Sequence, residues 1–325
     1  MNTASIGLFF KELGKEIFDV SYTLFKIMIP AIVIIKVLDM LGFTEYLGVV
    51  LAPLMNFVGL PESMGLVWAT TIMTNIYVGI LVFVDLTANQ PLSIAQVSVL
   101  SGMMLIAHGL PLEGAIAKKA GVNIWVTLVA RIGGGLLFGW LIFITYSYGD
   151  WLQQPSILAW QPEPSHDESV AGWLLEQGKN LLSIQLIIIV LLFFLKILKV
   201  MGVEKLMLIL LQPLLRILGI GEKASTLTII GITLGLSFGG GLLINEAKKG
   251  HIPARDIFTA MLLLGLLHSI IEDTLLMLLM GADINAILWG RILFTCIIIA
   301  IVTRVISRID DFTFQKILYT PVHKS

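Results

Sequence analysis

Apolar residues fill long stretches of this chain, and the polar residues that interrupt them recur at matched places. Continuous apolar runs predict helices at 19–41, 123–147, 180–201 and 284–308. Each is long enough to cross a bilayer, which takes about 20 apolar residues at about 1.5 Å rise. Shorter stretches of amphipathic character at 44–57 and 204–217 predict further helices. Segments 62–85 and 222–246 are rich in Gly, Thr, Ser and Asn. Segments 93–121 and 253–281 are apolar but hold a histidine and acids in their middle. Strand-like alternation is missing, which argues against a membrane β-barrel.

The pattern is a repeat. Gly42 matches Gly202, and the same offset of 160 residues, applied without gaps, pairs Pro53 with Pro213, Gly79 with Gly239 and His108 with His268. It also pairs Glu113 with Asp273, Gly121 with Gly281 and Arg131 with Arg291. Chance alignment of two apolar sequences would not bring the rarer Pro, His and Arg into one register. The chain therefore divides into an N-terminal amphipathic segment 1–14 (its apolar side, Phe9, Phe10 and Leu13, continuing to Ile17), repeat one 15–147, a linker 148–172, repeat two 173–310 and a tail 311–325.

Composition agrees with a membrane setting. Of 325 residues, 57% are hydrophobic and 13% charged, and the mean hydropathy is +0.94. Soluble domains have about 45–50% apolar and about 25% charged residues. The net charge of −1 gives no reason to expect nucleic acid as a partner, and the lone Cys296 excludes an intrachain disulfide and any cysteine-cluster metal site. No signal peptide is read at the N-terminus. The linker carries Asp150, Glu163, Asp167 and Glu168 without a basic residue, and Trp151 and Trp160 as interface anchors. Arg304, Arg308 and Lys316 lie near the C-terminus. The positive-inside rule then puts the linker outside and both termini in the cytoplasm.

Charges also swap sign between the halves. Asp39 and Glu45 lie where repeat two has Lys199 and Lys205, and Glu62 lies one residue from the match to Lys223, which is what inverted-topology repeats would show. Inversion needs an odd number of crossings per repeat. Arg216 and Lys223 precede the Gly-rich segment, and Lys248 and Lys249 follow it. It thus reads as a re-entrant hairpin with tips near 74–79 and 237–241, the alternative being an ordinary helix with glycines for close packing. The expected fold is an all-α polytopic membrane protein of two inverted repeats, each with transmembrane helices, an interfacial helix, a re-entrant hairpin and a broken helix.

Ionisable groups inside an apolar segment are costly and face a bundle interior or a wet cavity. His108, Glu113, His268, Glu272 and Asp273 are therefore the lead candidates for binding a solute or ion, with imidazole and carboxylate able to carry protons or hold a divalent metal. His108, His268, Glu272 and Asp273 form the metal candidates. A hydrogen-bonded latch between helices is the plainer alternative. Thr74, Asn75, Ser237, Gly239 and Gly240 at the expected hairpin tips, and Asn245 beyond, join the candidates because half-helix ends expose backbone groups to ligands. Arg131 and Arg291 read as structural ion pairs with Glu113 and Asp273.

These residues resemble a known family. HGLPLEGAIAKKAG at 108–121, LGLSFGGGLLINEAKKG at 234–250 and HSIIEDTLLMLLMGA at 268–282 are similar to the nucleoside-recognition, or Gate-domain, membrane proteins. That family includes the spore maturation proteins A and B, the gate region of the bacterial ferrous-iron transporter and, more distantly, concentrative nucleoside transporters. The resemblance covers both repeats. It implies an interfacial helix, hairpin and broken helix in each half, and a place in the bacterial inner membrane. The sequence carries no G-x-x-x-x-G-K-[ST] phosphate loop.

Three functions remain in play. The first is a transporter of a small polar or ionic solute, with protonation of His108, His268, Glu272 or Asp273 available to couple it to a proton gradient; a divalent metal transporter is its sharper form. The second is a non-transporting assembly or regulatory component. An intramembrane enzyme is the third, opposed by the lack of H-E-x-x-H and G-x-S-x-G motifs. No cofactor is expected. The expected partners are the lipid bilayer, the solute or ion, and either a second copy of the chain or a partner membrane subunit.

Overall fold

A computed structural model describes residues 3–87, 91–158 and 169–321. Trp160, Glu163, Asp167 and Glu168 of the expected linker lie outside the described residues. Among the described residues the chain is all helical, with two isolated β-bridges and no strand. The first half runs α1 (Thr3–Met40), α2 (Phe43–Phe57), α3 (Met64–Met73), α4 (Ile76–Thr87), α5 (Ile94–Ile106), α6 (Leu110–Lys119), α7 (Ile124–Leu128) and α8 (Gly134–Tyr148). The second runs α9 (Val170–Val200), α10 (Val203–Ile217), α11 (Glu222–Leu234), α12 (Leu236–Lys249), α13 (Ala254–Leu266), α14 (Glu272–Leu279), α15 (Arg291–Ile306) and α16 (Asp311–Ile317). Stretches 94–119, 124–148, 170–200 and 285–306 are long and apolar enough to cross a membrane.

Local geometry recurs at the offset of 160. Gly59 and Gly219 both take positive φ, as do Gly121 and Gly281. Leu60 N donates to Met55 O as Ile220 N donates to Leu215 O. Glu113 N donates to Gly109 O as Asp273 N donates to Ser269 O.

Each Gly-rich segment folds into a helical hairpin. The arms of the second approach so closely that a Cβ on Gly239 would lie 2.3 Å from Gly231 Cα. In the first, a Cβ on Gly79 would lie 1.9 Å from Thr71 Oγ1. The reversals occur at Thr74–Asn75 and Gly235. The second is therefore a few residues before the expected 237–241. Gly235 has φ +95, which suits it to the turn, whereas the following glycines stay helical and let the arms meet.

Two expected boundaries differ. Residues 3–14 are continuous with the first long helix, since α1 runs unbroken from Thr3 to Met40. Residues 311–321 of the tail are folded: α16 is capped by Asp310, and Thr320 N donates to Gly121 O at 2.7 Å. Tyr319 packs where a Cβ on Gly121 would be, 2.6 Å from its ring.

Linker and tail contact different ends of equivalent helices. At the start of α5, Ile94 N and Ala95 N donate to Gln154 O and Leu152 O in the linker, at 3.1 and 2.9 Å. At the start of α13, Arg255 Nη2 donates to Ile309 O and to Asp311 Oδ1, both at 2.7 Å. The ends are exchanged as well: Gly121 after α6 meets the tail, and Gly281 after α14 meets Ser156 of the linker.

Candidate functional site

Two histidine helices are interrupted just where their histidines stand. After Ile106 the chain leaves the helix and re-enters at Leu110, with Gly109 at φ +56 and Pro111 in the first turn of α6. A proline there loses no hydrogen bond, because first-turn N–H groups have no helical acceptor. In the second half α13 ends at Leu266 and α14 starts at Glu272. Ser269, the counterpart of Gly109, holds φ +46. A non-glycine residue in this left-handed region is strained, and such strain gathers at functional sites.

Each break is fastened to the hairpin of its own half. Gly109 N donates to Thr71 O, and Ile270 N to Ile232 O, both at 3.0 Å. These bonds draw four interrupted helices to one place.

There the two imidazoles meet. His108 Nε2 and His268 Nε2 are 2.9 Å apart, and both rings are buried. Nδ1 of His108 lies 2.8 Å from Met104 O, and Nδ1 of His268 lies 2.7 Å from Leu264 O. A carbonyl only accepts, so each Nδ1 carries the proton and both Nε2 atoms turn inward. Glu113 Oε1 stands 3.3 Å from one Nε2 and 3.2 Å from the other. Asp273 Oδ2 lies 3.9 Å from His108 Nε2 and has no hydrogen-bond donor.

Two fully buried arginines frame this cluster. Arg131 lies within a π-helical turn, Val129–Gly133, and Arg291 directly follows another, Asn285–Gly290. Such turns re-aim side chains and are frequent at functional sites. Arg131 pairs with the Glu113 carboxylate and donates to His108 O at 2.8 Å. Arg291 donates to Leu266 O, His268 O and Leu105 O at 3.0, 3.1 and 3.2 Å. The guanidinium groups thus satisfy carbonyls that the broken helices leave free, at helix ends whose dipole favours a cation. The expected contact of Arg291 with Asp273 is not among these bonds: Nε and Nη2 go to the three carbonyls, and Nη1 is buried without an acceptor. One half has a closed Arg–carboxylate pair, and the other leaves its aspartate open.

Glu272 faces elsewhere, which separates it from the expected metal set. Tyr77, on the second arm of the first hairpin, donates to Glu272 Oε1 at 3.0 Å. Glu272 and Thr233 lie at the inner end of a cavity of about 580 Å³ whose outer wall includes Phe9, Glu12, Glu16 and Lys196 of α1 and α9. Lys196 bridges Glu12 and Glu16 at 3.4 and 2.9 Å. Tyr77 and these ion pairs were not evident as site residues in the sequence. The available signal was a hydroxyl-bearing ring two residues after Asn75, inside an apolar run.

Other candidates are dispersed. Thr74 and Asn75 occupy the first reversal; Asn75 Oδ1 accepts from Val78 N at 3.0 Å, and its Nδ2 is buried without an acceptor. Ser237 and Asn245 are exposed on α12, away from the buried histidines. Gly239 and Gly240 are packing positions, against Gly231 and against Ile116 of α6. They carry no ligand group; their lack of a side chain lets the second hairpin approach its neighbours.

No protein-family model matches the chain, and no solved structure matches it. The chain is similar to the uncharacterized membrane protein YvoD of Bacillus subtilis, with 26% identity over 279 residues, covering 85% of this chain and 88% of that protein. This relationship and the four membrane-length apolar helices agree. The chain is a multi-pass membrane protein. For such a protein, the apolar side chains exposed along α1, α2, α9 and α10 form its contact with the lipid bilayer.

Proposed function

We propose that this membrane protein is a secondary transporter of a small polar or ionic solute rather than an enzyme, with the solute bound where the hairpin reversals meet the broken helices. The observation that carries this reading is the cavity lined by α1 and α9 on one side and by Thr233, Ile271 and Glu272 on the other, Glu272 adjoining Asp273 of the histidine cluster in sequence. A latch serving packing alone needs no such cavity. The unsatisfied Asn75 Nδ2 and Asp273 Oδ2 add buried polar atoms without partners at the same centre. Native proteins rarely leave such atoms unused.

The two halves are read as inverted repeats. The exchanged contacts support this: α5–α6 leads from linker to tail, whereas α13–α14 leads from tail to linker. With α1, α5–α6 and α7–α8 crossing in one half and α9, α13–α14 and α15 in the other, the linker and the tail fall on opposite sides. The charge bias then sets the linker outside and both termini in the cytoplasm of a bacterial inner membrane. The Gate-domain resemblance fits this arrangement and does not name the solute.

A topology test comes first. In a Cys296→Ser chain, Gln153→Cys is expected to react with a membrane-impermeant thiol reagent applied to intact cells, and Phe312→Cys only after permeabilisation. Labelling of both from one side would sink the inverted arrangement. Transport is then read by stopped-flow swelling of proteoliposomes challenged with nucleosides, amines, organic anions or divalent cations. At least one class is expected to enter faster than into protein-free vesicles, and the gain to vanish in His268→Ala and Asp273→Asn chains that remain monodisperse. Vesicles as tight as protein-free ones toward every class would favour an assembly component.

A further inference from the structure

The geometry points to a binding site for one divalent first-row transition-metal ion at the centre of the molecule, held by His108 Nε2, His268 Nε2, Glu113 Oε1 and Asp273 Oδ2. This rests on the reading of the centre as the solute site and names the class of ion it takes.

The first three donors form a nearly equilateral triangle with edges of 2.9, 3.2 and 3.3 Å. Ligands about 2.0–2.1 Å from a tetrahedral zinc ion stand about 3.3 Å from one another. The triangle therefore already has the size of one face of such a shell. Asp273 Oδ2, 3.9 Å from His108 Nε2, completes the set once its carboxylate moves inward. The Nε2 atoms of both histidines and an Asp273 oxygen lie within 4.8 Å of one another.

Three further observations favour a metal. Both Nδ1–H groups are committed to backbone carbonyls, which fixes the tautomer that presents Nε2. Metal-binding histidines almost always hold their second nitrogen in this way. Arg131 grips the carboxylate of Glu113 and leaves Oε1 facing the histidines, as a supporting residue does for a carboxylate ligand. Asp273 is 7% exposed, and its Oδ2 has no donor although it points toward the pair. A buried carboxylate oxygen without a partner is costly.

The histidine pair points the same way. Two neutral imidazoles with facing lone pairs at 2.9 Å repel each other, and a cation turns that repulsion into shared coordination. Two imidazoles with two carboxylates suit the middle of the first transition row better than Mg²⁺ or Ca²⁺, which prefer all-oxygen shells.

The test uses the full-length protein in detergent, where binding is read without any flux. Protein stripped with chelator, loaded with ZnCl₂ and desalted is expected to retain about one zinc per chain by elemental analysis. His108→Asn, His268→Asn and Asp273→Asn are expected to weaken Zn²⁺ binding on the order of 100-fold or more, with Asn245→Ala unchanged. If the histidine variants fail to fold, Co²⁺-loaded wild-type protein keeps the proposal open to refutation. Its visible spectrum and its X-ray absorption are expected to show a four-coordinate ion with two imidazole ligands.

Wild-type protein that keeps no zinc, zinc bound equally well by a His108→Asn/His268→Asn chain, or a Co²⁺ shell without imidazole would each overturn the site. A histidine pair that shows a shared proton by nitrogen NMR while excluding Zn²⁺ would do the same. A chain that binds Zn²⁺ and moves no solute refutes the transport reading alone. A chain that moves solute and binds no Zn²⁺ refutes this one.

Discussion

Arg131→Met is expected to lower the stability of the folded protein by about 3–5 kcal/mol, the cost of stripping one partner from a buried ion pair. The guanidinium is 1% exposed, pairs with Glu113 and donates to His108 O. Its loss leaves a carboxylate without its counter-charge and a carbonyl without a donor. The pair itself need not be strongly stabilising, because desolvating two charges offsets most of their attraction. Arg131→Met combined with Glu113→Gln should therefore recover much of the loss, as read from thermal unfolding in one detergent. Equal damage in the single and double variants would show that the pair is not what the arginine serves. Arg291→Met lacks this rescue, since Arg291 bonds three carbonyls and no carboxylate in the second half.

The hairpins should respond unequally to one added methyl group. Gly239→Ala would set its Cβ 2.3 Å from Gly231 Cα, against backbone that cannot turn aside. Overpacking costs about 1–3 kcal/mol and more where backbone must shift, so the second hairpin should open. The same change at the equivalent Gly79 meets Thr71 Oγ1, a side-chain atom that can rotate at the expense of its bond to Val67 O. Gly79→Ala should be milder, and Thr71→Gly should relieve it, since the second half has Gly231 at that place. Gly241→Ala has open space around it and should be neutral or slightly stabilising, because alanine favours helix over glycine by about 1 kcal/mol. Scanning calorimetry of the three variants gives the order, and Gly241→Ala falling as far as Gly239→Ala would refute the packing account.

The sequence was informative about the cluster because its signal is local and expensive. A histidine with an acid five residues later, in the middle of an apolar run, is rare, and its recurrence at one offset made His108, Glu113, His268 and Asp273 stand out. The residues that were misplaced failed for a common reason. Composition puts Ser237, Gly239 and Gly240 at a reversal, whereas a single glycine, Gly235, makes it and those three continue the helix. Glu272 was grouped with Asp273 because they adjoin, but neighbours on a helix point about 100° apart. One therefore meets Tyr77 and the cavity, and the other the histidines.

What the sequence determined by itself is the class of the molecule and its internal repetition. Hydropathy at bilayer length and the register of Pro, Gly, His and Arg need no tertiary information, because each is a property of the local chain and its solvent. Tertiary structure alone decided that the two imidazoles touch, that Arg291 serves carbonyls rather than Asp273, and that a cavity reaches Glu272. Those facts depend on how two halves, each folded by local rules, approach one another. That approach is set by glycine contacts and hydrogen bonds between residues far apart in the chain, which no local pattern records.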